Sequence, residues 1–340
     1  MTRVSLVGFG RIGRDLFRQS LTNNNIDIIS ISDTADKKNL IYLLKYDSIY
    51  GQLDADIEES ENGIIVNGRE ILFNNWKDSA DADWLSTNTD VVILATGKPQ
   101  ILDEIQAHIN KGCKKVLIAS TPMKFGDVQI YIPGANDDKV DFSADAFSLG
   151  SNTANAVAPL LKNLQEKVGI KRAFITTVHG YSNSNRLADV AGEGFRLNRA
   201  AGENIIPSIT KSSDVIVEVL PSLKNKVASS SMTVPVPDGS TVDLTIDLDK
   251  ETSVEEINKL IEDISKNSLK DIVGITYDPI VSSDVVRSTL SGLVDGIATM
   301  GINNKKIKLI IWFDNGWGYA ARIIDCLLYT SDAADDNAGV

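Results

Sequence analysis

The segment Gly150-Ser151-Asn152-Thr153-Ala154-Asn155, followed downstream by His179, holds the residue types best suited to chemistry. Small hydroxyl and amide residues stand directly before the apolar run Ala156-Val157-Ala158-Pro159-Leu160-Leu161, a helix-start signal. A helix start presents unpaired N–H groups and the positive end of the dipole, which favour an anion or a developing oxyanion. A nucleophile there would be activated. The position holds Asn152 instead, and an amide is neither a nucleophile nor a base at neutral pH. His179 closes the strand-like run 172–178. It is either a proton-transfer group or a strand-end histidine that hydrogen-bonds a neighbour.

The elements that must position these groups begin at the N-terminus. Residues 3–7 read as a strand, and Gly8-Phe9-Gly10-Arg11-Ile12-Gly13 leads from it into a helical pattern at 14–21. Glycines in that context allow a tight turn and let the backbone approach a pyrophosphate at the helix N-terminus. A second strand, 26–31, ends at Asp33, about twenty residues past the glycines, where an acid accepts from the adenine ribose. A carboxylate there repels a 2′-phosphate, so the expected cofactor is NAD rather than NADP. Strands at 90–95 and 116–119 alternate with a helix at 101–110, which predicts a parallel sheet with ligand at its carboxyl edge. Thr96, Gly97, Ser120 and Thr121 fall at that edge. Asn67-Gly68 predicts a tight hairpin.

After residue 150 the pattern changes. Residues 180–204 lack a clean period and read as a long ordered loop, which in a compact domain is usually functional. A short strand is expected at 234–236. Residues 240–248 alternate strictly, as a half-exposed antiparallel strand does. Ser253-Val254-Glu255-Glu256 is a capping box, and 306–313 predicts a final strand before Asp314-Asn315 and a last helix. The fold class is therefore an α/β Rossmann NAD-binding domain plus an α+β catalytic domain with a mixed, mainly antiparallel sheet. A small, acidic, disordered tail is expected at 331–340.

Composition bounds the partners. The chain has 340 residues and a net charge of -12, which argues against nucleic acid and anionic membranes. No run is long enough to span a bilayer, and no leader precedes the first strand, so a cytoplasmic protein is expected. Two histidines exclude a multi-histidine metal centre, and no metal is expected. Cys113 and Cys326 lack disulfide or metal spacing and read as small core residues.

Ser151, Thr153, Asn155 and Ala158-Pro159-Leu160 resemble the active-site segment of the phosphorylating glyceraldehyde-3-phosphate dehydrogenase family. Further matches span nearly the whole chain: the glycine loop; Leu43-Leu44-Lys45-Tyr46-Asp47-Ser48; Thr177-Val178-His179; Asn204-Ile205-Ile206-Pro207; Val234-Pro235-Val236-Pro237; and Asp314-Asn315 with Trp317-Gly318-Tyr319. The resemblance implies a Rossmann domain over 1–150, a catalytic domain over 151–314, a last helix at 315–330 packing back on the first domain, and a homotetramer with the 180–204 loop near a neighbour's cofactor site. It implies that Gly8, Gly10, Arg11, Ile12, Gly13, Asp33, Thr96, Ser120 and Asn315 bind NAD, with Asn315 on the nicotinamide amide; Gly97, at the ligand edge of the sheet, is expected beside them. Lys77, Ala191 and Gly316 depart from the family around that site.

The family's thiolate attacks an aldehyde with the help of a histidine, which His179 matches. Asn152 occupies the cysteine position, so phosphorylating oxidation is expected to be lost. The family's anion contacts are also altered. Thr233 replaces an arginine, Thr210-Lys211 replaces a Thr-Gly pair, Ser182 replaces a threonine, and Arg196 is kept. Ser151, Thr153, Ser182, Arg196, Thr210, Lys211 and Thr233 thus form the expected substrate or anion site. Lys211 either rebuilds an anion site or is a solvated charge. Two functions remain. One is a thiol-independent NAD-dependent oxidoreductase acting on a small aldehyde, ketone or alcohol, phosphorylated or free, with His179 as acid/base. The other is an inactive NAD-binding paralogue serving as sensor, scaffold or moonlighting protein. Retention of His179 and Asn315 favours the first.

Overall fold

The structure is a computed structural model that describes residues 1–76, 79–192 and 194–337. Lys77 lies outside the described residues. Internal contacts divide the chain into two units. The first is Met1–Tyr131 with Asp138–Gly150 and the residues from Ala320 onward; the second is Ser151–Tyr319 with Ile132–Asp137.

The first unit is built on a nine-stranded sheet. Its central strand β1 (Thr2–Val7) runs parallel to β2 (Ile26–Ser32) and β3 (Val91–Leu94), and β4 (Lys115–Ile118) extends the parallel set. Val4, Leu6, Val91, Val92, Ile93, Val116, Leu117 and Ile118 are all buried. Burial on both faces is what a parallel sheet covered by helices requires. Gly63–Val66 and Arg69–Asn74 form the expected hairpin, with positive φ at Asn67 (50°) and Gly68 (78°). That is the backbone a two-residue primed turn needs. Helix α1 (Arg11–Ser20) starts earlier than expected, so Ile12 and Gly13 already belong to its first turn.

Beside this sheet a small aromatic cluster packs Trp76, Trp84 and His108. The Trp84 indole N–H donates to His108 Nδ1 (3.3 Å), and burial pushes the imidazole down to about 4. A neutral buried histidine stabilises the fold only while the unfolded chain is also neutral. Stability from this site is therefore complete above about 6.5 and is lost as pH falls toward 4. Denaturant titrations should show a loss of about 3 kcal/mol over that window, and a His108→Gln variant should lack it. Parallel profiles for the two proteins would remove the assignment.

In the second unit, helix α2 (Asn152–Lys167) precedes a second sheet of eight strands. β5 (Ile170–Gly180) pairs in parallel with β6 (Val227–Val234) and antiparallel with β7 (Ser240–Leu248), which pairs antiparallel with β8 (Lys306–Phe313). The sheet is mixed and mainly antiparallel. β7 alternates buried and half-buried residues along its whole length, as its sequence predicts. Of the strand expected at 234–236 only Val234 is in a strand, as the last residue of β6. Its Val-Ala-Ser-Ser-Ser-Met-Thr-Val sequence carries no apolar alternation, and the strand is held by its ladders on both sides. The capping box is formed, with Ser253 Oγ accepting from Glu256 N–H. The last helix, α3 (Trp317–Asn337), extends into the tail expected to be disordered from 331. Residues 331–337 contain no Gly or Pro to stop it. No described helix is long and apolar enough to cross a membrane.

Candidate active site

In the first unit the three glycines divide their tasks by space. A Cβ on Gly8 (φ 94°) would lie 2.7 Å from the Ala95 carbonyl, and one on Gly13 would lie 2.2 Å from Gly8 O. Gly8 and Gly13 lock the turn against β3 and against itself. Gly10 has nothing within 4 Å of its missing side chain, and no side chain caps α1. Open space beside uncapped N–H groups is the arrangement a pyrophosphate needs. Asp33 is fixed by Phe9 N–H on Oδ2 (2.7 Å) and Ala35 N–H on Oδ1 (2.9 Å). Each oxygen keeps a second lone pair for a ribose hydroxyl. Thr96 and Ser120 are brought together by the loop between them: Thr96 Oγ1 accepts from Gln100 Nε2 (3.0 Å) and Ser120 Oγ donates to Lys98 O (3.2 Å). Gly97 takes the positive φ (72°) of that turn. These residues fit a bound NAD.

In the second unit, Ser151 caps α2, its Oγ accepting from Ala154 N–H (3.1 Å). Asn152 stands in the first turn and is anchored at three points. Its Oδ1 accepts from Thr153 N–H (2.8 Å), its Nδ2 donates to Asn315 O (3.0 Å), and Nδ2 lies 3.4 Å from His179 Nε2. The helix start is thus less open to an anion than its sequence implies, because two of its N–H groups are satisfied by side chains beside them. His179 Nδ1 lies 2.6 Å from Gly180 O. A carbonyl only accepts, so Nδ1 carries the proton. In the neutral ring Nε2 is then the lone-pair end, and it faces the Asn152 amide.

A chain of polarity orients Asn315. Gly180 N–H donates to Ser240 Oγ (3.1 Å), so the Ser240 hydroxyl proton is free to donate to Asn315 Oδ1 (3.0 Å). The Asn315 NH2 is left as the end that can donate to a ligand carbonyl. Ser240 was not legible as a site residue; its only signal was its place at the head of the alternating strand.

The expected anion-site residues fall into two groups. His179, Ser182, Arg196 and Thr233 line one cavity of about 710 Å³, joined by Ser184, Asn185, Phe195, Leu197 and Ile209. Register places Thr233 directly beside His179. Arg196 is the sole cation among the described lining residues. Ser151 and Thr210 meet through Ser212: its Oγ lies 2.8 Å from Thr210 Oγ1 and 3.4 Å from Ser151 Oγ. Lys211 is exposed at the N-cap of Ser212–Val219 and is not among the residues that line the cavity of Thr233. Thr153 is buried at the start of α2. Cys113 and Cys326 are buried, and burial pushes both thiols up to about 12, so neither is a nucleophile at neutral pH.

A Rossmann unit with this glycine loop and Asp33, and a second α+β unit carrying His179 and Asn315, define a two-domain NAD-dependent oxidoreductase. Residues 2–100 match the family model described as glyceraldehyde 3-phosphate dehydrogenase, NAD binding domain, and residues 151–315 match that of its C-terminal domain. The chain is 39% identical to glyceraldehyde-3-phosphate dehydrogenase of Geobacillus stearothermophilus, over 96% of this chain and 97% of the relative. It is 37% identical to glyceraldehyde-3-phosphate dehydrogenase 1 of Bacillus cereus, over 97% and 98%. The corresponding figure for the Borreliella burgdorferi enzyme is 39%, over 95% and 98%. The chain belongs to the glyceraldehyde-3-phosphate dehydrogenase family.

Proposed function

We propose that this family member is a thiol-independent NAD-dependent oxidoreductase acting on a small aldehyde, ketone or alcohol, and that it does not carry out phosphorylating oxidation. The observation that carries the reading is the pairing of Asn152 with His179. An amide at the nucleophile position cannot form a covalent intermediate. It can donate a hydrogen bond to a substrate oxygen, and it already points an N–H toward the one ring nitrogen able to exchange a proton.

Gly8, Gly10, Arg11, Ile12, Gly13, Asp33, Thr96, Gly97, Ser120 and Asn315 would hold NAD, which when bound would supply hydride exchange at the substrate carbon. The chain's own residues manage the oxygen. In oxidation, His179 Nε2 takes the hydroxyl proton while Nδ1–H stays on Gly180 O. In reduction, the imidazolium returns that proton to the carbonyl oxygen. The Asn152 NH2 stabilises charge developing on the same oxygen. Ser182, Arg196 and Thr233 shape the substrate end of the cavity, and Ser151, Thr153, Thr210 and Lys211 are the further candidates for an anion contact. A cytoplasmic homotetramer is the proposed working form.

A second reading, an inactive NAD-binding paralogue, is favoured by one feature: the Asn152 amide is already committed to Asn315 O. The two readings part in an assay with NADH and a panel of small phosphorylated and free aldehydes and ketones, followed by nicotinamide absorbance. Turnover of at least one carbonyl is expected. NAD binding with no turnover across the panel would establish the second reading.

A further inference from the structure

The cavity beside His179 has a charge and polarity that narrow the substrate class. Arg196 is the sole cation among its described lining residues, and none of those residues is an acid. The Arg196 guanidinium has no partner among the described residues. The lining hydroxyls, by contrast, are engaged within their own loop. Ser182 Oγ and Ser184 Oγ bond each other (2.9 Å), Asn185 Oδ1 accepts from Ser182 N–H (2.9 Å), and Ser208 Oγ donates to Ile206 O (3.3 Å). Such a lining offers little to a polyhydroxylated ligand. Phe195, Leu197 and Ile209 bring exposed apolar side chains to the same cavity, which suits a short hydrocarbon chain.

Thr233 sets a limit on charge. It is buried, and the sheet places it between His179 on one side and Ile206 on the other. Its hydroxyl and methyl supply no charge. A phosphate monoester carries close to two negative charges at neutral pH. One guanidinium would leave much of that uncompensated, in a chain whose own net charge is -12. A carboxylate carries a single charge on a planar group, which the guanidinium fork matches with two parallel N–H donors.

We propose that the site takes a short aldehyde or ketone carrying one carboxylate, with the carboxylate on Arg196 and the carbonyl at His179, and that Thr233 disfavours the phosphorylated homologue. The inference rests on the reading of His179 as the acid/base of a carbonyl reaction. In reduction the carbonyl carbon gains the hydride that NADH loses, its oxygen gains the His179 proton, and the carboxylate is unchanged.

The test compares three matched aldehydes with NADH on the full chain: succinic semialdehyde, butanal and the phosphate ester of hydroxypropanal. The semialdehyde should exceed each of the others in kcat/KM by at least about tenfold. Arg196→Gln should collapse that ratio, and Arg196→Lys, which keeps the charge without the fork, should recover part of it. Arg196 is exposed, so both variants keep the fold. Thr233→Arg should raise the phosphate ester relative to the semialdehyde. A wild-type preference for either other aldehyde, or a ratio unmoved by Arg196→Gln, overturns the proposal. Guanidinium nitrogen shifts of arginine-labelled protein, titrated with butyrate and with propyl phosphate, read the site without turnover. Butyrate should bind the more tightly, and only while Arg196 is present; equal or tighter binding of propyl phosphate overturns the proposal. Butyrate binding of that kind with no aldehyde turned over refutes the reading of His179 and leaves the carboxylate site standing. Turnover with no butyrate shift at Arg196 does the reverse.

Discussion

Asn152→Cys is expected to acquire a reactive thiol without acquiring the family's phosphorylating activity. The first turn of α2, beside His179, is a place where a thiol ionises readily. The variant should therefore be alkylated by iodoacetamide at neutral pH, while the wild-type protein, whose two thiols are buried, should not. Phosphate-dependent oxidation of glyceraldehyde 3-phosphate should nevertheless stay at least about thirtyfold below that of a conventional family member. Losing one partner of a buried charge pair costs about 2–5 kcal/mol, and each 1.4 kcal/mol is about tenfold in rate. Here Thr233 stands in the cavity where the resemblance implies an arginine, and Arg196 is the sole described cation lining it. Lys211, exposed at the N-cap of Ser212–Val219, is not among the residues that line that cavity. A rate close to that of an ordinary enzyme would show that the altered contacts do not matter and that the missing thiol is the whole difference.

His179→Ala should abolish most of whatever carbonyl turnover the panel reveals, by about 10²–10⁴, the usual contribution of a positioned acid/base. NAD affinity at fixed pH should change little, since His179 reaches the Asn315 turn through intermediates, Gly180 with Ser240 on one side and Asn152 on the other. Asn152→Ala should cost less, on the order of tenfold, the worth of one neutral hydrogen bond to the reacting oxygen. The order of the two losses is the decisive part. If Asn152→Ala is the more damaging and His179→Ala is tolerated, the proton comes from elsewhere and the imidazole only supports the amide.

Local signals were legible in the sequence. The glycine loop, Asp33, the Asn67-Gly68 hairpin and the alternation of 240–248 each depend on neighbours a few residues away, and each has its expected form. The serine-rich strand β6 was not legible, because its place is set by ladders to β5 and Ile206–Ser208 and not by its own apolar pattern. Site contacts formed across long separations were also hidden. Asn152 meets His179 27 residues later and Asn315 163 residues later, Ser151 meets Ser212 61 residues later, and Asp238 meets Asn315 77 residues later. Residue types announced Asn152 as a lost nucleophile. They could not announce what its amide holds, nor that Lys211 would be absent from the lining of the cavity beside Thr233.

Anchoring of Asn152 at its own helix N–H, at Asn315 O and beside His179 has a further consequence. A cysteine side chain ends in one atom on a freely turning bond, and it must find its orientation anew in each cycle. The amide spends its rotational freedom when the protein folds. Its dipole is already aimed when a ligand arrives, and little ordering entropy remains to be lost at that moment. The same restraint forbids it to follow a reacting carbon through a change of shape. A site built around such a group suits reactions in which a proton moves and the oxygen stays where it was bound.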